Sequence, residues 1–279
     1  MARNSHPHDD AARGGLRRLL APAAAELPPV RAWGPWWAGA LVSIAFVAIV
    51  FGYDQLIDHT PLAGLLLEGG LLAALLALVA WRRRSLAPHR SPLRTWGARG
   101  RWVLNGAIAV LATATVVGLA LHLALPDDMH GIGHKLPADA GGRVLAGITM
   151  IVLAPLVEET VFRGWLMRSL TTCMRPLAAV LISGTIFGAL HIWLARYSLE
   201  MGLELFSVGY ALAFVCLWSG SMIPNVAGHM TLNLTAFFSI VSPPVDTAVT
   251  VVVALAIVGS LVRARRRRHP SHTTAPVTA

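Results

Sequence analysis

The chain has 279 residues and a formal net charge of +9, with 13% charged and 55% hydrophobic residues. A soluble domain of this length cannot bury so much apolar surface, and the low charge and the 2 cysteines exclude a disordered chain and a disulfide scaffold. The composition therefore predicts an all-α, polytopic bundle of transmembrane helices.

The chain divides into a polar N-terminal region, a long apolar region and a basic C-terminal end. Residues 1–34 are expected to form a flexible cytoplasmic tail, and residues 35–262 a transmembrane domain. About eight apolar runs cover residues 36–53, 61–81, 102–125, 143–167, 176–195, 205–219, 222–241 and 245–262. A helix needs about 20 residues to cross the hydrocarbon core, so most runs suffice. The sixth run is short, and we expect it to be tilted, broken or partly re-entrant.

Arginine clusters indicate the orientation of the bundle. The densest ones, at residues 82–84 and 263–268, each follow an apolar run. The positive-inside rule places both in the cytoplasm, so an even number of crossings leaves both termini cytoplasmic. Residues 263–279 are expected to form a basic, disordered tail. Because the chain has no soluble basic domain, these arginines indicate contact with the lipid bilayer and no nucleic-acid partner.

The fourth run contains charged residues, which are costly inside a span. Glu159 and Arg163 are four residues apart, so they share a helix face and can form an ion pair. Glu158 is rotated from Glu159 by about 100° and stays available for chemistry. Pro155 is expected to bend the helix just before this pair. A purely structural ion-pair cluster is the alternative, but it leaves Glu158 without a role.

Two later runs carry polar residues at the same spacing of four. Phe187 and His191 lie in the fifth run, and His229 and Asn233 lie in the seventh. Ionisable groups inside a membrane face the bundle interior, so these side chains are expected to meet Glu158. Glu158 and His191 would then activate water, while His229 and Asn233 would donate hydrogen bonds to an oxyanion. Each histidine taken alone also fits a hydrogen-bonded core residue.

The same residues leave a metal site open. Glu158, His191 and His229 have the donor types of a zinc site with an open position for water. Zinc is therefore a candidate cofactor, although a glutamate mechanism requires none. The sequence contains neither an HExxH nor a GxSxG motif. In the second run, Glu68 stands alone and is expected to lie at the interface or to pair with a neighbouring helix.

The three motifs resemble those of the CPBP family, which includes type II CAAX prenyl endopeptidases and bacteriocin-processing or Abi-type intramembrane proteases. They are EExxxR beginning at Glu158, FxxxH ending at His191 and HxxxN beginning at His229. All three occur in order on apolar segments, and the resemblance covers roughly residues 143–241. It implies a helical membrane endopeptidase whose site opens toward the cytoplasm. It also implies that Glu159 and Arg163 brace the site.

The favoured function is an endopeptidase that cleaves a membrane-bound or prenylated peptide or protein. A transporter or proton relay is one alternative, which inverted repeats would favour. A non-catalytic scaffold or immunity protein is another, which the loss of a motif residue would favour. The sequence shows neither sign, and it sets no oligomeric state. Its bias toward Arg and Ala is typical of GC-rich bacterial coding, so a bacterial plasma membrane is the expected location.

Overall fold

The computed structural model describes residues 36–56, 60–85, 96–125, 136–195 and 199–241, together with residues 251, 252, 255 and 259. These residues form helices and no strand, which confirms the all-α prediction. The helices are α1 (Trp36–Leu56), α2 (Pro61–Ser85), α3 (Trp96–Ala124), α4 (Ala140–Leu170), α5 (Pro176–Ala195), α6 (Leu199–Ser219) and α7 (Ile223–Val241). The predicted tails at 1–34 and 263–279 and most of the eighth run lie outside the described residues.

Several of these helices can cross a membrane. Four stretches in the described part of the chain are long and apolar enough: Pro61–Ala80, Val103–Leu121, Ala140–Leu170 and Leu199–Ser219. The apolar parts of α1 and α5 are shorter, at Trp37–Tyr53 and Pro176–Ile192. A polytopic helical bundle is therefore supported, while the count of eight crossings and the cytoplasmic termini stay predictions.

The helix of the sixth run is longer than predicted. α6 is continuous over 21 residues and begins at Leu199, six positions before the apolar run. Glu200 and Glu204 interrupt the apolar pattern and conceal this first part of the helix. A Cβ atom at Gly118 of α3 would lie 3.3 Å from the carboxylate of Glu204, so this glycine makes room for it. The expectation of a short or broken segment is therefore wrong, while a tilted or partly re-entrant helix stays a prediction.

α4 is an irregular helix that holds the first motif. Its α-helical stretch Ala154–Glu159 lies between two π-helical stretches, Thr149–Leu153 and Thr160–Met167. Pro155, which was expected to bend the helix, is the second residue after the first of them. Proline has no backbone N–H to donate, and π-helical turns are frequent at functional sites. The irregular backbone therefore flanks both adjacent glutamates.

α4 also lies at the centre of the bundle, in contact with α1, α2, α5, α6 and α7. All eight residues of its stretch Thr160–Met167 are buried. Phe162 of this stretch packs edge-on against Phe46 of α1 and Phe187 of α5. Glu159, Thr160 and Arg163 of α4 are therefore held in the core of the bundle.

Glycines allow α5 and α6 to approach each other closely. A Cβ atom at Gly209 of α6 would lie 2.8 Å from the carbonyl oxygen of Gly184 in α5, so a larger residue does not fit there. Small residues at such crossings are typical of helices packed in membranes. The close approach brings the backbone of α6 within reach of the polar side chains of α4.

Candidate active site

Glu159 is the centre of a buried group of polar side chains, here called the ionic cluster. Its Oε1 accepts a hydrogen bond from Arg163 Nη1 at 3.0 Å and lies 2.9 Å from His229 Nδ1. Its Oε2 accepts a hydrogen bond from the Asn225 amide. The side chains of Glu159 and Arg163 are 0% exposed, so the predicted ion pair is confirmed and sealed from solvent.

Arg163 connects the ionic cluster to two further helices. Its Nη2 donates to the carbonyl oxygen of Gly209 in α6 at 2.7 Å. Its guanidinium carbon lies 4.6 Å from the centre of the Phe187 ring in α5, a cation–π contact. A buried charge needs such partners to offset its lost hydration. Arg163 therefore fixes α4 against α5 and α6 at the level of the motifs.

Glu158 faces a different space from its neighbour, as the helical rotation predicted. Its Oε2 lies 3.9 Å from His191 Nε2 and 3.8 Å from His229 Nε2. These distances are too long for direct hydrogen bonds. This oxygen is buried and has no hydrogen-bond partner among the described residues. These three atoms define the candidate site, which is here called the catalytic hollow.

The other ring nitrogens of the two histidines are already occupied. His191 Nδ1 lies 2.8 Å from the carbonyl oxygen of Phe187, which can only accept, so Nδ1 carries the proton. His229 Nδ1 likewise donates to the carboxylate of Glu159. In the neutral rings both Nε2 atoms therefore present lone pairs toward Glu158. The catalytic hollow is lined by acceptors, and a molecule that donates hydrogen bonds, such as water, suits it.

Exposure shows on which side the catalytic hollow is accessible. The side chains of His191 and Glu158 are 22% and 16% exposed, whereas that of His229 is 4% exposed. His191 and Glu158 are therefore on the more accessible side of the hollow, and His229 is on its more buried side.

Phe187 links the ionic cluster and the catalytic hollow. Its ring is fully buried and lies 4.3 Å, centre to centre, from the ring of His191. It also meets the ring of His229 edge-on, with the ring centres 5.7 Å apart. Since Arg163 packs on the same ring, Phe187 contacts both histidines and the ion pair. This explains physically why an aromatic residue stands one turn before His191.

Asn233 lies one turn beyond His229 on α7. Its amide donates to the backbone carbonyl oxygen of Met150 at 2.8 Å, in the first π-helical stretch of α4. No hydrogen bond among the described residues joins it to Glu158 or His191. An amide nitrogen has two protons, so its second N–H can still donate to a ligand.

Sequence reasoning missed Asn225. This side chain is 0% exposed and donates to Glu159. The available signal was its spacing: Asn225, His229 and Asn233 follow each other at intervals of four and form one polar face of α7. Asn225 is uncharged and lies near the start of its apolar run, so the cost of burying a charge does not single it out.

The side chains expected to bind zinc do not form a zinc site in this structure. Among the described residues, no group of three or more His, Cys, Asp or Glu side chains is arranged to hold a metal ion. Ligands of a tetrahedral zinc ion lie about 3.3 Å apart, given bonds of about 2.0–2.1 Å. The separations of Glu158 from His191 and His229, 3.9 and 3.8 Å, are wider. The positions of these side chains therefore do not fit a tetrahedral zinc ion.

Comparison with known proteins gives the family. The family described as Rce1-like, type II CAAX prenyl endopeptidase, matches residues 140–235, which contain all three motifs. An uncharacterized 24.3 kDa protein of Escherichia coli is 31% identical over an alignment of 209 residues, which covers 71% of this chain and 88% of that protein. No solved structure matches the chain significantly. The chain is thus an integral membrane protein that belongs to the Rce1-like family of CAAX-type proteases.

Proposed function

We propose that this protein is an intramembrane endopeptidase that hydrolyses a peptide bond of a membrane-bound or prenylated substrate. The observation that carries the proposal is the position of Glu158 Oε2, which is buried, without a hydrogen-bond partner among the described residues, and close to two imidazole nitrogens. A carboxylate in such surroundings is suited to act as a general base. Membership of a protease family supports the same reaction class.

Glu158 and His191 activate the water molecule in this proposal. Their facing atoms are 3.9 Å apart, so one water molecule can lie about 2.8 Å from each of them. Glu158 takes a proton from this water, and His191 Nε2 accepts the second hydrogen bond. The water oxygen then attacks the carbonyl carbon of the scissile bond. The bond between that carbon and the amide nitrogen breaks, and the proton held by Glu158 passes to the leaving amine.

His229 and Asn233 stabilise the oxyanion in the same proposal. Because His229 Nδ1 donates to Glu159, its Nε2 can donate to an oxyanion only when the ring is protonated at both nitrogens. The carboxylate of Glu159 stabilises that cation, as an oriented carboxylate does in other hydrolytic sites. The second N–H of Asn233 provides the other donor. Donors preorganised in this way commonly contribute several kcal/mol of transition-state stabilisation.

The surroundings fit a substrate that stays in the membrane. A lipid-anchored or membrane-spanning peptide can approach the bundle sideways without leaving the bilayer. We infer that the site opens toward the cytoplasm and that the bundle has about eight crossings with both termini on that side. We also infer a bacterial plasma membrane as the location. The arginine clusters at 82–84 and 263–268 support this orientation.

The test is the substitution Glu158→Gln, which keeps the size of the side chain and removes the base. We expect peptide cleavage to fall by about 10²–10⁴-fold. The melting temperature should stay unchanged, because Glu158 has no part in the ion pair. The assay uses proteoliposomes and an internally quenched peptide that ends in a farnesylated CAAX sequence. A proteomic search for new C-termini in cell membranes covers other substrates.

Glu204→Gln is the matched control, since Glu204 is a carboxylate of α6 that lies beside Gly118 and outside the catalytic hollow. This variant should cleave as the unmodified protein does. Full proteolytic activity of Glu158→Gln would refute the role of Glu158 as the base.

A further inference from the structure

Glu68 lies on the side of α2 that packs against α4. Leu75 is the one fully buried residue in the apolar part of α2, and its other residues are half-buried or exposed. One turn before Glu68, a Cβ atom at Gly64 would lie 3.9 Å from Thr149 of α4. Two turns after Glu68, Leu75 is 7% exposed and belongs to the core. Residues 64, 68 and 75 share one helix face, so Glu68 is directed inward toward α4.

Glu68 and Glu158 lie on helices that pack against each other, since α2 contacts the stretch Ala154–Glu159 of α4. Each has a buried Oε2 atom that has no hydrogen-bond partner among the described residues. Two carboxylates that face each other away from bulk water repel, unless a hydrogen-bond donor lies between them. While both rings are neutral, the two imidazole nitrogens near Glu158 present lone pairs and do not supply that donor. The arrangement therefore calls for a hydrogen shared between the two carboxylates.

We propose that Glu68 is a positioning residue for Glu158: the two carboxylates share one hydrogen-bond donor, and this bond fixes the orientation of the Glu158 carboxylate. The donor is a proton or a water molecule. This inference rests on the proposed function, because orientation matters only if Glu158 acts on water. Orientation of a general base affects the chemical step more than substrate binding.

The test compares two substitutions of Glu68 in the farnesylated-peptide assay. Glu68→Leu removes the shared hydrogen bond, and we expect kcat to fall at least tenfold while KM stays within twofold. Glu68→Gln keeps a hydrogen-bond donor, since its amide can donate directly to Glu158, and we expect kcat within threefold of the unmodified protein. If Glu68 only stabilised the fold, Glu68→Leu would not lower kcat while leaving KM unchanged, and Glu68→Gln would not restore kcat.

Matched substitutions at Glu204, to Leu and to Gln, control for the loss of a carboxylate from another span. If Glu68→Leu does not fold, Glu68→Ala replaces it in the comparison with Glu68→Gln. The inference is overturned if the apolar variant keeps full kcat, if both variants lose kcat equally, or if KM rises while kcat stays. If the unmodified protein cleaves neither this peptide nor any membrane protein, it is the proposed function that fails.

Discussion

Two neighbouring glutamates of α4 have opposite surroundings. Glu159 accepts hydrogen bonds from Arg163, Asn225 and His229 and is fully buried. Glu158, rotated by about 100° along the helix, has a buried oxygen whose nearest imidazole nitrogens are 3.8 and 3.9 Å away. Two consecutive residues therefore differ in their hydrogen bonding: both oxygens of Glu159 accept hydrogen bonds, whereas Glu158 Oε2 has no partner among the described residues.

The difference indicates that Glu159 stabilises the packing of the helices, whereas Glu158 is available for chemistry. A buried charge with all its partners fixes the positions of the helices around it, because moving any partner leaves the charge uncompensated. A carboxylate without direct partners is free to bind water and to exchange a proton. His229 belongs to both regions, since its Nδ1 lies in the ionic cluster and its Nε2 faces the catalytic hollow. The cluster therefore sets the geometry of the hollow.

The largest effect on stability is expected from Arg163→Ala. This change leaves Glu159 buried without its counter-ion, and it removes the hydrogen bond to Gly209 and the contact with Phe187. Removing one partner of a buried ion pair costs about 3–5 kcal/mol. The measurement is thermal unfolding in detergent, where we expect the melting temperature to fall by roughly 10 °C.

Two further variants sharpen this prediction. Arg175→Ala removes an exposed arginine and should change stability by less than about 0.5 kcal/mol. The double variant Glu159→Gln with Arg163→Met removes both charges and should be less destabilised than Arg163→Ala alone. An unaltered melting temperature of Arg163→Ala would contradict the assigned role of the ion pair.

A smaller loss of stability is expected from Asn225→Ala. The substitution removes a buried donor to the carboxylate of Glu159, and hydrogen bonds to charged groups contribute about 1.5–3 kcal/mol. Asn233→Ala is the informative comparison, because it lies two turns further along the same face of α7. We expect Asn225→Ala to lower the melting temperature more, and Asn233→Ala to lower kcat more. The opposite ranking in unfolding and cleavage assays would show that the two amides have other roles.

Helical geometry explains which contacts could be predicted from the sequence. The spacing of four between Glu159 and Arg163 fixes their common face, and the step of one fixes the rotation of Glu158. The cost of charges in a membrane predicted that Glu158, His191 and His229 would face inward. These are local or nearly universal constraints, so they needed no knowledge of the packing.

Tertiary packing explains what could not be predicted. The two π-helical stretches of α4 depart from the repeat of 3.6 residues per turn that was assumed for the whole run, so they were not predicted. The start of α6 was not predicted, because Glu204 marks the N-terminal boundary of the apolar run in the sequence. The structure shows that Gly118 of α3 makes room for this carboxylate. The direction of Glu68 likewise depends on which side of α2 meets α4.

Removing metal is expected to have the smallest effect of all. If the catalytic hollow works with water alone, the purified protein should keep its cleavage rate after strong chelation and exchange into metal-free buffer. Zinc added back should not raise the rate, because the separations of 3.8 and 3.9 Å are wider than those between ligands of one zinc ion. Loss of activity on chelation with recovery on adding zinc would contradict this expectation. It would mean that Glu158, His191 and His229 move together to bind an ion. Glu158 would then differ from Glu159 by binding a metal and not by activating water.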